Sequence, residues 1–208
     1  MWLAFYNPTA TGDVLLLTRD SDSTSAKSFE RNGDVAVVRP AHQAEIVSVN
    51  LFNASQYLDL TETGQVSLTD DQVETINALI AKANYEVEVT IDATPKFVVG
   101  YVESCEPVED SDHLSLTQTN VGDTILQIVC GAKNIRQGLH VLVARPGAVM
   151  PSGLIIWPSE LRGVSSSGMV CSTRELQLEG VGNVEGIWEL PDYFKPGTPL
   201  DEVIAQLI

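Results

Sequence analysis

The chain has 208 residues, 44% apolar and 6% aromatic, with 12 basic against 28 acidic residues and a net charge of -16. That length holds one large domain or two small ones, and the apolar fraction supports a packed core rather than a disordered chain. The acidic balance argues against non-specific DNA binding, which needs a broadly positive face, and no stretch approaches a membrane span.

Residues 1–93 read as a small α+β domain. Leu3–Tyr6 and Asp13–Thr18 flank the turn-rich segment Asn7–Gly12, which predicts a hairpin. The polar stretch from Arg19 to Ser28 reads as a loop. Asn32-Gly33-Asp34 then leads into Val35–Arg39, and Glu45–Leu51 is a further β run. Asn53 or Ser55 is placed to cap a short helix through Tyr57-Leu58. Thr69-Asp70-Asp71-Gln72 fits a capping box, with apolar residues at Val73, Ile76, Leu79, Ile80 and Ala83 on helical spacing behind it. The helix should end near Ala83-Asn84. Nothing in this half assembles a phosphate loop or a catalytic constellation, and Ile91–Pro95 reads as a linker.

From Lys96 the chain turns β-rich, as a small barrel or sandwich. Strands are predicted over Phe97–Ser104, His113–Thr119, Ile125–Cys130, Leu139–Ala144 and Gly168–Ser172. In the second of these, alternation points Leu114 and Leu116 inward, with Ser115 and Thr117 outward. The acidic run Glu106–Asp112 lacks the alternation and central Gly of a calcium loop, so it reads as solvated. Met169, Val170 and Cys171 belong to the core. The clear helix of this half is terminal, over 199–208, with Leu200, Val203, Ile204 and Leu207 as the face that packs on the barrel.

One stretch departs from the acidic background. Between Gln127 and Arg174 there is a single acid, Glu160, against Lys133, Arg136, Arg145, Arg162 and Arg174. Cations gathered this way repel each other unless a counter-charge arrives, so the stretch points to an anion. Within it, Gly131 allows a sharp bend before Lys133, Asn134 and Arg136, which supply a point charge, a paired donor and acceptor, and a planar fork. A second motif, Leu161-Arg162-Gly163-Val164-Ser165-Ser166-Ser167-Gly168-Met169, sets three hydroxyls between glycines, the groups that contact nucleic-acid phosphate and sugar. A nucleophilic serine would need a base, and His42, His113 and His140 sit in no recognisable motif; Ser167-Gly168 also lacks the nucleophile-elbow pattern. Trp157 and Trp188 are candidates for base stacking or for burial. Cys105, Cys130 and Cys171 show no zinc spacing and read as reduced. The opening Met-Trp-Leu-Ala-Phe-Tyr-Asn-Pro has neither a basic region nor a long apolar run, so a cytoplasmic location is expected.

Taken in order, Glu106–Leu114, Val121-Gly122, Gln127–Gly138, Val143–Pro151, Leu161–Ser172 and Glu175–Leu178 resemble the tRNA-binding domain of the endothelial monocyte-activating polypeptide type, which also lies near the N-terminus of the bacterial phenylalanyl-tRNA synthetase β chain. With Asn32–Val35 and Asn50–Leu58, the whole chain resembles the stand-alone YtpR group. The resemblance implies an α+β N-terminal domain followed by an all-β OB-fold barrel over 96–198. It implies binding of tRNA or other structured RNA, without catalysis, cofactor or metal. The family's contact positions fall on Lys133, Asn134, Arg136, Arg162, Ser165, Ser167 and Gly168. Three positions depart from the usual pattern towards less positive charge: Glu106, His113 and Glu160. With the net charge, they favour the alternative of a protein-interaction module that keeps the fold with weak or lost RNA affinity. Hydrophobic edge strands in either domain would support a homodimer.

Overall fold

A computed structural model describes residues 1–19, 25–109 and 111–207. Two compact units emerge, Met1–Ala93 and Thr94–Ile208. Strands make up most of the regular structure, with few helices.

The first unit carries β1 (Leu3–Tyr6), α1 (Pro8–Thr11), β2 (Val14–Thr18), β3 (Lys27–Asn32), β4 (Val35–Pro40), β5 (Ser48–Phe52), a 3₁₀ turn at Ala54–Gln56, β6 (Gly64–Gln65) and α2 (Asp70–Lys82). The strands form one sheet in the order β3-β4-β5-β2-β1-β6. The expected hairpin is present, with Leu3 opposite Thr18 and Tyr6 opposite Leu15. Its connection holds the helical turn α1, capped by Asn7. Strand alternation puts Leu15, Leu17, Val37, Val49 and Leu51 in one core with Ile76 and Ile80 of α2. The capping box is complete: Thr69 Oγ1 accepts from Gln72 N at 3.3 Å and Gln72 Oε1 accepts from Thr69 N at 3.0 Å. Replacing Thr69 by Ala should destabilise this unit by about 1 kcal/mol in urea unfolding.

Two expectations need correction here. Lys27 and Ser28, read as loop, belong to β3, which pairs with β4 from Lys27 opposite Pro40 to Asn32 opposite Val35. Every residue of β3 is exposed, so the strand lacks the apolar alternation by which strands are recognised. The remainder of that polar stretch, 20–24, lies outside the described residues. Asn53 caps nothing. Its φ is 51°, and its side chain donates to Asp34 at 2.9 Å, while Ser55 Oγ donates to Asp13 at 2.7 Å.

The second unit carries β7 (Phe97–Pro107), β8 (Ser115–Asn120), β9 (Ile125–Cys130), β10 (His140–Ala144), β11 (Ser159–Leu161), β12 (Val164–Ser166), β13 (Met169–Val170), α3 (Thr173–Leu176), β14 (Glu189–Leu190) and α4 (Leu200–Leu207). Five strands pair in the order β13-β10-β7-β8-β9, and β14 adds to β10. The segment leading into β13 meets β9: Ser167 N donates to Gln127 O at 2.7 Å, and Val129 N donates to Ser166 Oγ, at the end of β12, at 3.1 Å. The sheet therefore curls into a barrel, helped by a bulge in β7 between Val102 and Ser104. Val99, Leu142, Trp188 and Phe194 share a core with Val203 of α4.

The inward face of β8 is the reverse of the expected one. Thr117 and Thr119 are fully buried, and Leu114 and Leu116 are only half-buried. Thr117 Oγ1 donates to Ile128 O at 3.0 Å and lies 3.0 Å from Thr119 Oγ1, so both hydroxyls are satisfied inside. The strand expected over Gly168–Ser172 pairs only at Met169–Val170. Ser172 instead caps α3 in a second capping box with Glu175, so the terminal helix is not alone in this half. Asp110, in the acidic run, and Ile208, in the terminal helix, lie outside the described residues. Among the described residues no helix is long and apolar enough to cross a membrane, and no three potential ligands cluster for a metal ion.

Candidate nucleic-acid interface

The Leu161–Met169 motif folds as a hairpin standing on the barrel. In it Ser159 faces Ser166, Glu160 faces Ser165, and Leu161 faces Val164. Arg162 and Gly163 form the turn with φ of 50° and 78°, the double positive-φ geometry that matches strand twist in a two-residue loop. Arg162 is thereby held exposed at the tip. The base of the hairpin is fastened to β9, where Gln127 Nε2 donates to both Ser165 O and Ser165 Oγ at 2.8 Å. The three hydroxyls thus have different settings. Ser165 is exposed, Ser166 is buried, and Ser167 is half-buried with its main-chain N–H closing the barrel. Gly168 has a φ of 139° beneath them.

The Lys133-Asn134-Ile135-Arg136 segment is braced from across the unit. Asn134 Nδ2 donates to Ile187 O at 3.1 Å and to Glu189 Oε1 at 3.0 Å, and Ile187 N donates back to Asn134 Oδ1 at 3.0 Å. Arg136 forks onto Glu189 at 3.1 and 2.9 Å. Arg136 first and Asn134 second hold the Glu189 carboxyl below its ordinary value, and Glu189 pushes the Arg136 guanidinium up. Lys133 is exposed and carries no ion pair among the described residues.

The charge of the basic stretch is accordingly uneven. Arg136 is paired with Glu189, and Arg145, 16% exposed, with Asp123 at 3.0 Å. Both acids lie outside the stretch, so sequence proximity gave no sign of them. Arg174, absent from the expected contact positions, is exposed and has no ion-pair partner among the described residues. It lines a cleft of about 440 Å³ formed by residues 129–132, 169–170, 172, 174–175 and 184–187. This cleft lies between the two motifs, next to Lys133.

Trp188 is 8% exposed and belongs to the core, whereas Trp157 is half-buried. All three cysteines are free. Burial pushes up the Cys130 thiol, and pushes Cys171 up to about 12, so both stay neutral. His113 bonds Asp112 at 2.7 Å and His140 packs against Tyr101 at 5.0 Å between ring centres.

Residues 97–199 match the family model described as "Putative tRNA binding domain", and residues 22–92 match a "Domain of unknown function (DUF4479)". The chain is 44% identical over 198 residues to the "Putative tRNA-binding protein YtpR" of Bacillus subtilis, covering 92% of this chain and 98% of that one. The chain belongs to this YtpR family. It is also 44% identical over 138 residues to a phenylalanine–tRNA ligase beta subunit of Oceanobacillus iheyensis, which covers 62% of this chain but only 17% of that subunit. A solved MetRS-related protein from Pyrococcus horikoshii aligns with 64% of this chain and 97% of its own at 17% identity, with a TM-score of 0.38.

Proposed function

We propose that the chain binds tRNA without catalysing a reaction, in the cytoplasm, through an OB-fold barrel preceded by a small α+β domain. The observation that carries this reading is Lys133, exposed and without an ion pair among the described residues, beside the braced 134–136 segment, set in a domain that matches the tRNA-binding model. Lys133 and Arg162 attract phosphate, and Ser165 and Ser167 add hydrogen bonds to phosphate and sugar. Asn134, Arg136 and Gly168 hold the loops that present them. Recognition of this kind works by shape and backbone, because the deep major groove of an RNA helix is closed to side chains. The outer strand β3, with Phe29 79% exposed, offers an edge for a homodimer, readable by light scattering.

The test is a tRNA gel-shift titration across salt. Binding should be modest and fall steeply with salt. The double variant Lys133→Ala, Arg162→Ala should reduce the log–log salt slope by roughly 0.7–0.9 for each lost phosphate contact while leaving the thermal transition in place. No binding by the wild type at low salt would reject RNA in favour of a protein partner.

A further inference from the structure

The cleft next to Lys133 has the chemistry of a nucleotide site rather than of a packing gap. Its floor is apolar, from Val170, Met169, Ile187 and the neutral Cys130. One wall, 184–187, is fixed at both ends. Val184 N donates to Thr173 Oγ1 at 3.1 Å, and Ile187 exchanges two hydrogen bonds with the Asn134 side chain. A cleft of this size that combines apolar side chains with a few convergent polar groups is a common form of a small-ligand site.

The rim offers one cation and one anion. Arg174 and Glu185 are both exposed, and neither has an ion-pair partner among the described residues. Glu175, the other lining acid, is tied back to Ser172, whose N and Oγ both donate to Oε2, at 2.8 and 2.6 Å, so of the two only Glu185 has both carboxylate oxygens without a partner among the described residues. A fitting ligand is flat and apolar on its faces, brings N–H donors to Glu185 and an anionic group to Arg174. A nucleotide has all of these. Guanine alone among the RNA bases presents two adjacent N–H donors on one edge, matching the two oxygens of a carboxylate.

Resting on the RNA-binding reading, we propose that this cleft is a slot for one unstacked guanosine nucleotide, with Glu185 reading the base edge and Arg174 holding the phosphate. Single-stranded RNA is read in this manner, by a base turned out of its stack and bonded along its edge.

The probes are GMP, AMP, CMP, UMP and guanosine, titrated into the full chain while amide resonances are followed. GMP should shift Gly131, Arg174 and Gly186 and bind about tenfold more tightly than UMP. Glu185→Gln should remove that preference, and Arg174→Ala should weaken GMP while leaving guanosine unchanged. Both residues are on the surface, so neither variant should unfold. If GMP at millimolar concentration leaves those amides unmoved, or Glu185→Gln keeps the preference, the slot is wrong. A gel shift with whole tRNA separates the two ideas. Intact tRNA binding with unmoved cleft amides rejects the slot alone, whereas GMP in the cleft without tRNA binding supports the slot and rejects the tRNA reading.

Discussion

Gly168→Ala should destabilise the barrel by about 2–3 kcal/mol, lowering the melting temperature of its transition by about 8–15 °C. The position combines two faults for any side chain. Its φ of 139° is open essentially to glycine, and an added Cβ would lie 3.0 Å from Ala144 O and 3.3 Å from Ile128 Cδ1. Ala144 belongs to β10 and Ile128 to β9, the strands flanking the closure, so relief would require the barrel seam to move. Gly153 provides the control. It also has positive φ, at 87°, but a Cβ there meets nothing within 4 Å. Gly153→Ala should therefore cost only about 1 kcal/mol from backbone strain. Equal losses at the two positions would show that closure of the barrel does not depend on Gly168. The experiment also decides the role of this residue in binding. If folded Gly168→Ala protein binds tRNA with unchanged salt dependence, the glycine serves the seam and not the RNA.

What was legible in the sequence was whatever a local pattern encodes. The α2 capping box, the hairpin of β1 and β2, and the strand at Ile125–Cys130 are each written in consecutive residues. β8 shows where such reading fails. Leu114 and Leu116 alternate with Ser115 and Thr117 at its start, and the hydrophobicity of Leu points to the wrong face. A Thr carries a methyl group and one hydroxyl, and once Ile128 O accepts from that hydroxyl it packs inside nearly as a Val would. β3 failed in the opposite sense, since a fully exposed edge strand has no inward face to mark. The α3 capping box, Ser172 to Glu175, is also written in consecutive residues, and the strand expected over Gly168–Ser172 claims its cap residue.

The candidate site divides along the same line. The two motifs are contiguous in sequence, and the structure places both on the barrel around β9 and the segment after it. Which of their charges remain available depends on partners far away in sequence: Glu189 for Arg136 and Asp123 for Arg145. A count of bases over Gln127–Arg174 cannot anticipate this: it puts Arg136 beside Lys133, although Arg136 is paired with Glu189 and Lys133 has no ion pair among the described residues. Arg174 belongs to the same count but to neither of the two motifs. Its place on the cleft depends on the turn into α3, which brings Ser172, Arg174 and Glu175 together there.

Asn134→Ala should cost about 2–3 kcal/mol, and its effect should reach the cleft. The side chain bonds Ile187 through both its N–H and its carbonyl, as a neighbouring strand would, and Ile187 is 3% exposed. Truncation leaves two main-chain groups without these partners, and water can reach them only in part. Removing the adjacent ion pair is a milder change. Arg136 and Glu189 side chains are 59% and 38% exposed, so Arg136→Met should cost much less than Asn134→Ala in solvent-screened surroundings. Acidification separates the two contributions. The Glu189 carboxyl is held below its ordinary value in the folded chain, by Arg136 first and Asn134 second. The stability this gives is therefore complete above the ordinary carboxyl range, near about pH 4.3, and is lost as pH falls through the lowered value. The gap between wild type and Asn134→Ala should narrow below that range without closing, because the Ile187 bonds do not titrate. A gap that closes fully at low pH would assign the whole effect to Glu189. A gap that is constant with pH would mean that Asn134 acts on Ile187 alone. In either folded variant the cleft provides a second reading. Asn134→Ala should weaken GMP binding through a loosened 184–187 wall, whereas Arg136→Met, which leaves both Ile187 bonds in place, should not.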